Sequence, residues 1–162
     1  MRAGKMEQEF SPWRKWDDRD KPTEQMKCPG IYVVALSESK LSGKPFSFSK
    51  SIVYVGMTNA TLEKRLAAFD TTIRKKRLEH GGADRFLGAH QEFKDVEARL
   101  YVSTKHWEWP STDKKSPECL RTKGIVAAAE YEMLARCVEE LTAIPVFNQK
   151  ESKKFDGWKK NS

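Results

Sequence analysis

Two short runs of β-branched and aromatic residues, within GIYVVALSESKLSGKPFSFSKSIVYVGMTN at 30–59, constrain this chain more than any other feature. Ile31–Leu36 and Ile52–Val55 each have the length of a buried strand. Their connector is rich in Ser, Gly and Lys, so the pair reads as an antiparallel hairpin with a long loop. Each strand carries a tyrosine, Tyr32 and Tyr54, and Gly56 follows the second directly. A lone hairpin is marginal in water, so the remaining sequence must supply its cover. Asn59 or Thr61 can cap a helix whose Leu62, Leu66 and Phe69 recur at i, i+4 and i+7. Residues 96–103 alternate, with Val96, Ala98, Leu100 and Val102 on one side and Glu97, Arg99 and Tyr101 on the other. That pattern predicts a third strand, buried on one face. A long helix is expected over 125–141, ended by Ile144-Pro145. Between these, Gly81-Gly82 predicts a break, leaving residues 70–95 as loop with a short helical piece. The expected fold is a small α/β domain of the α+β type: a three-stranded antiparallel sheet flanked by helices.

The 162 residues suit one domain, and 38% hydrophobic content with five tryptophans excludes wholesale disorder. Residues 1–27 mix both charge signs around Trp13 and Trp16 and read as an extension that packs on the domain through its tryptophans. The domain proper is expected over 28–149, and 150–162 form a lysine-rich, solvated tail. No apolar run is long enough to span a bilayer, and the N-terminus lacks the apolar stretch of a secretion signal. Cys28, Cys119 and Cys137 are odd in number and far apart, which suggests reduced thiols in a cytoplasmic protein. The net charge of +7 suggests an anionic partner, nucleic acid or a membrane surface.

Helical geometry separates the glutamates of the long helix. At 100° per residue, Val126, Met133, Leu134, Cys137 and Leu141 fall on the side of Glu130, whereas Glu132 shares a wet face with Arg136 and Glu139. A carboxylate on an apolar stripe either bends out to water or meets a cation, a metal or strong donors. Arg65, at the border of the first helix's stripe, poses the same choice between a surface arginine and a phosphate ligand. His80, His90 and His106 lack metal-ligand spacing, and RKKR at 74–77 is a cluster suited to backbone phosphates.

Taken in order, GIY at 30–32, YVG at 54–56, Arg65 eleven residues beyond Tyr54, Glu130 on a helix and Asn148 after IPVF resemble the GIY-YIG nuclease superfamily. The resemblance covers residues 29–149, and its helix motif, an acid with apolar residues three and four later, is met by Glu130, Met133 and Leu134 and not by Glu132. The two tyrosines stand 22 apart, farther than in compact members, as in the longer hairpins of restriction enzymes. A histidine often found one turn after the arginine is absent; Phe69 holds that place, and His80 or His90 is left as a substitute.

The resemblance implies a divalent-metal-dependent DNA endonuclease, restriction-like in subtype. Glu130 would bind one Mg²⁺, for which Mn²⁺ could substitute, and Arg65 would clamp the scissile phosphate. Tyr32 would be the general base, its pKa depressed by Arg65, the metal and Lys64, with Tyr54 positioning water or phosphate. Gly30 and Gly56 would shape the site and Asn148 would brace it. Lys44, Lys50, Lys64, Arg74, Lys75, Lys76 and Arg77 are candidate contacts to the nucleic-acid backbone. Double-strand cleavage would require two sites, as in a homodimer, or two sequential nicks. RNA remains open as a substrate. A non-catalytic nucleic-acid-binding module of the same fold is the alternative.

Overall fold

The computed structural model describes residues 9–90, 94, 96–150 and 154–160. Residues 1–8 of the expected extension, and 151–153, 161 and 162 of the expected tail, lie outside this set. Strands β1 (Arg14–Lys15), β2 (Gly30–Leu36), β3 (Ile52–Thr58) and β4 (Leu100–His106) form one antiparallel sheet in the order β1-β4-β2-β3. Among the described residues four α-helices accompany it: α1 (Thr23–Met26), α2 (Leu62–Ile73), α3 (Gly81–His90) and α4 (Pro117–Leu141). The class is α+β, as the sequence predicts, but the sheet has four strands rather than three. Two residues of the N-terminal segment add β1 to the outer edge of β4, and a strand that short leaves no period to read.

β2 is the axis of the fold because it is paired on both sides and covered on both faces. Tyr32 and Val34 point into a cluster with Leu62, Leu66 and Phe69 of α2 and Phe86 of α3. Ile31, Val33 and Ala35 point the opposite way, into a cluster with Phe10, Trp13 and Phe46 and with Val126, Met133 and Cys137 of α4. The chain is therefore three layers deep, which explains a second correction. Tyr101, expected on a wet face of β4, is 3% exposed because the N-terminal segment and α4 cover that side. The strand also starts at Leu100, after a 3₁₀ turn over Glu97–Arg99.

Helix boundaries follow their caps. The Thr61 hydroxyl accepts from the Lys64 N–H at 3.3 Å and starts α2. α4 begins at Pro117 rather than near Ile125, because the Ser116 hydroxyl accepts from the Cys119 N–H at 3.2 Å and Pro117 fits the first helical position. Gly81-Gly82, expected to break a helix, instead opens α3.

The segments around Trp16 and Trp158 are tied down through buried carboxylates. Asp70 of α2, 8% exposed, accepts from Trp16 Nε1 at 2.9 Å and Arg74 Nε at 2.8 Å, and pairs with Arg19 at 3.2 Å. Asp84 of α3 accepts from Trp158 Nε1 at 2.8 Å and from the Phe155 N–H at 3.2 Å. The described part of the tail is thus docked on α3, not wholly solvated. Removing one acceptor from a buried cluster leaves its donors unsatisfied and its cations unpaired. Asp70→Ala should therefore lose about 2–4 kcal/mol in urea unfolding. Asp70→Asn, which keeps one acceptor for the Trp16 N–H, should lose less.

Candidate active site

Sheet register brings the two phenols together. Tyr32 pairs with Gly56 and Val34 with Tyr54, so the tyrosines sit diagonally on one face of neighbouring strands. Their ring centroids are 6.0 Å apart. This closeness requires missing side chains beneath them. A Cβ at Gly56 would fall on the Tyr32 hydroxyl, and one at Gly82 on the Tyr54 ring. The second clash is the physical reason that Gly81-Gly82 sits at a helix start: α3 begins directly against Tyr54, which only a glycine at 82 allows.

His80 completes the aromatic cluster from the opposite side. Its ring stacks edge-on against Phe69, the residue one turn after Arg65, at 4.8 Å between centroids. His80 Nδ1 accepts from the Ala83 N–H at 3.2 Å, capping α3. That nitrogen is therefore unprotonated, and the neutral ring carries its proton on Nε2. Nε2 lies 2.6 Å from Tyr32 Oη, so His80 donates and the Tyr32 oxygen accepts. The ring is 2% exposed. Burial, with Arg65 and Arg85 nearby, pushes its pKa down to about 3.

Arg65 on α2 and Glu130 on α4 act on the same pair of phenols. α4 runs chiefly along β3, and at that edge the Glu130 carboxylate acts on both Tyr32 and Tyr54. Half-burial raises the Glu130 pKa and the Arg65 guanidinium opposes the rise. Glu132, by contrast, is exposed. The expected depression of Tyr32 is not found. Its ring has no exposure, and burial drives its pKa well above the ordinary phenol value; Tyr54 adds to the rise and Arg65 opposes it without overcoming it. Tyr54 is 8% exposed, and burial raises its pKa too, against the stabilising charges of Arg65 and Arg85.

Asn148 holds the rim of this cluster. β3 is an edge strand, so the outward N–H and C=O of Val55 have no strand partner. The Asn148 side chain replaces one: Oδ1 accepts from the Val55 N–H at 2.8 Å and Nδ2 donates to its carbonyl at 2.7 Å. Arg85 Nε donates to the neighbouring Phe147 carbonyl at 2.7 Å, tying α3 to the same turn. Sequence reading missed Arg85, a lone arginine in a stretch without a distinct period, and left His80 as one of two substitutes. The structure separates those two: His90 stacks on Phe86 and Phe147, while His80 bonds to Tyr32.

The basic candidates divide. Gly30 opens β2, paired with Thr58 and His106. Lys64 is exposed one residue from Arg65. Lys44 and Lys50 are exposed in the β2–β3 connection, where the Lys44 carbonyl accepts from the Trp13 N–H on the far layer. Of RKKR, Arg74 is engaged by Asp70, Asp17 and Glu97, Arg77 pairs with Glu79 at 2.5 Å, and the Lys75 ammonium lies 5.4 Å from the Phe155 ring centroid. Lys76 is exposed. Arg74 is thus part of the fold's internal ion pairing.

In comparisons with protein-family models, curated proteins and solved structures, none matches the chain. No helix among the described residues is long and apolar enough to cross a membrane.

The His80 environment has a signed consequence for stability. The folded ring refuses a proton down to about pH 3, whereas the unfolded ring takes one near 6.5. The unfolded state then binds more protons across that window, so stability present above pH 6.5 is lost as pH falls. Urea unfolding at fixed pH steps should show this loss, and His80→Gln should flatten it by removing the histidine's share.

Proposed function

We propose that this chain is a divalent-metal-dependent endonuclease of the GIY-YIG type, acting on DNA. The supporting observation is that β2, β3, α2 and α4 contribute Tyr32, Tyr54, Arg65 and Glu130 to one electrostatically coupled cluster. These are the four catalytic positions that the sequence resemblance implies.

The donor set is compatible with Mg²⁺, or Mn²⁺ in its place. Among the described residues there is no group of three or more side chains that could hold a metal. A single half-buried carboxylate, Glu130, is then the protein's share, which suits an ion that keeps most of its waters and takes further oxygens from a phosphate. When bound, it would supply positive charge at the phosphoryl oxygens and a more acidic water. Arg65 contributes a permanent planar cation with two parallel donors for the phosphate.

The phenols divide by access. Tyr54 is the one with solvent exposure, and both Arg65 and Arg85 stabilise its oxyanion. We therefore place Tyr54 beside the attacking water, moving the base role from Tyr32. Tyr32 stands behind it, its oxygen already accepting from His80. The restriction-like subtype rests on the long β2–β3 connection. The alternative, a nucleic-acid-binding module without turnover, has on its side the raised pKa of both phenols.

Supercoiled plasmid with and without Mg²⁺ tests the reading. Wild type should yield open-circle or linear DNA only with the metal, and Glu130→Gln should bind DNA without cutting. Tyr54→Phe should slow cleavage on the order of 10²–10⁴-fold, the usual contribution of a general base. A folded wild type that binds DNA equally in both conditions and never nicks it supports the binding module instead.

A further inference from the structure

α4 has a second apolar face that the site does not use. Leu120, Gly124, Ala127, Tyr131, Leu134 and Val138 recur at spacings of four and three, the pattern of a helix seam. This stripe adjoins the face that Val126, Met133 and Cys137 bury on the sheet: half-buried Leu134 packs at the border between the two, and Leu120, Gly124, Tyr131 and Val138 face outward. Tyr131 is 72% exposed, Leu120 55% and Val138 46%, and the space above Gly124 is open. A continuous apolar band of this kind on a polar helix marks an interaction surface.

We propose that this band is a homodimer interface, in which two copies of α4 pair antiparallel about a two-fold axis at the level of Ala129. Two properties select a second copy of this chain in that orientation. The first is self-complementarity of shape. About that axis Leu120 faces Val138 of the second copy, Gly124 faces Leu134 and Ala127 faces Tyr131. Each large side chain of the central pairs then sits over a small one, Tyr131 over Ala127 and Leu134 over Gly124, a self-complementary match of the kind an isologous contact needs. The second is charge. Before the midpoint α4 carries Arg121 and Lys123 against Glu118; after it stand Glu130, Glu132, Glu139 and Glu140 against Arg136. Antiparallel pairing sets the basic end of each helix beside the acidic end of the other, with Arg121 on the same flank as the exposed Glu139 of the second copy. Parallel pairing would oppose like charges. One helix per subunit is a small interface, so the dimer is concentration-dependent.

Sedimentation velocity on the full chain over a concentration series tests the proposal. Wild type should shift from monomer to dimer, and Tyr131→Lys should weaken the dimer about 30-fold or more, the loss of one central aromatic anchor. Because Tyr131 is exposed, the variant's thermal unfolding should match wild type at concentrations where wild type is monomeric. Orientation is read by cysteine crosslinking in a Cys28→Ser background. Ala128→Cys, close to the axis, should crosslink, whereas Leu120→Cys should not, since its two copies would lie about 27 Å apart along the helices. A monomer at every concentration, a dimer indifferent to Tyr131→Lys, or crosslinking through Leu120→Cys instead of Ala128→Cys would each overturn the proposal. These readouts require no DNA, so they stand or fall separately from nuclease activity.

Discussion

The Tyr32 ring occupies the volume that a side chain at residue 56 would fill, and much of the molecule follows from that one steric fact. With Gly56 opposite, β2 and β3 can pair while a large ring lies flat across them. The second phenol then falls diagonally beside the first. The pair forms a floor onto which α2 and α3 close, and α3 can come close enough only because Gly82 is also bare. Pre-placed in this way, the polar atoms Oη, Nε2 and the Arg65 fork meet inside an apolar shell. Their charges are felt strongly there because little water intervenes.

That shell also fixes which proton states are available. A buried phenol and a buried imidazole both favour their neutral forms, and the cap on α3 decides which imidazole nitrogen faces the phenol. Backbone geometry, through one N–H of Ala83, thereby sets the direction of a side-chain hydrogen bond. In the proposed mechanism the outer phenol and its two arginines would activate the water, with the inner pair as a rigid backing.

Much of this was legible in the sequence because it rests on local periodicity. The hairpin, the stripe of α2 and the orientation of Glu130 all follow from spacing. What was not legible depends on contacts between distant segments. Tyr101 alternates as a surface residue does, yet its outer face is covered by residues 10–13, which no local pattern announces. Gly81-Gly82 carries a breaker's signature, and only the Tyr54 ring above it explains a helix there. Arg85 and His80 reach the site from a stretch whose polar and apolar residues show no clean period. The start of α4 was not legible because beyond Pro117 its first two turns carry only Cys119 and Leu120 as apolar residues, which set no period, so the Ser116 cap and Pro117 were the only signals.

The pairing of Arg14 with Val102 has a consequence for how the chain assembles. The segment that closes the outer edge of the sheet is made among the first residues, and the strand it joins comes only after more than half the chain. Trp13 and Trp16 have seats on Phe46 and on Asp70 and Phe69 that precede β4, but the backbone that carries them gains its strand partner only with β4. Closing so wide a loop is an entropic cost met late, and folds dominated by such distant pairings are slow to form. The tryptophan-bearing segment thus joins the two halves of the described chain, a latch across the sheet rather than a part of the hairpin.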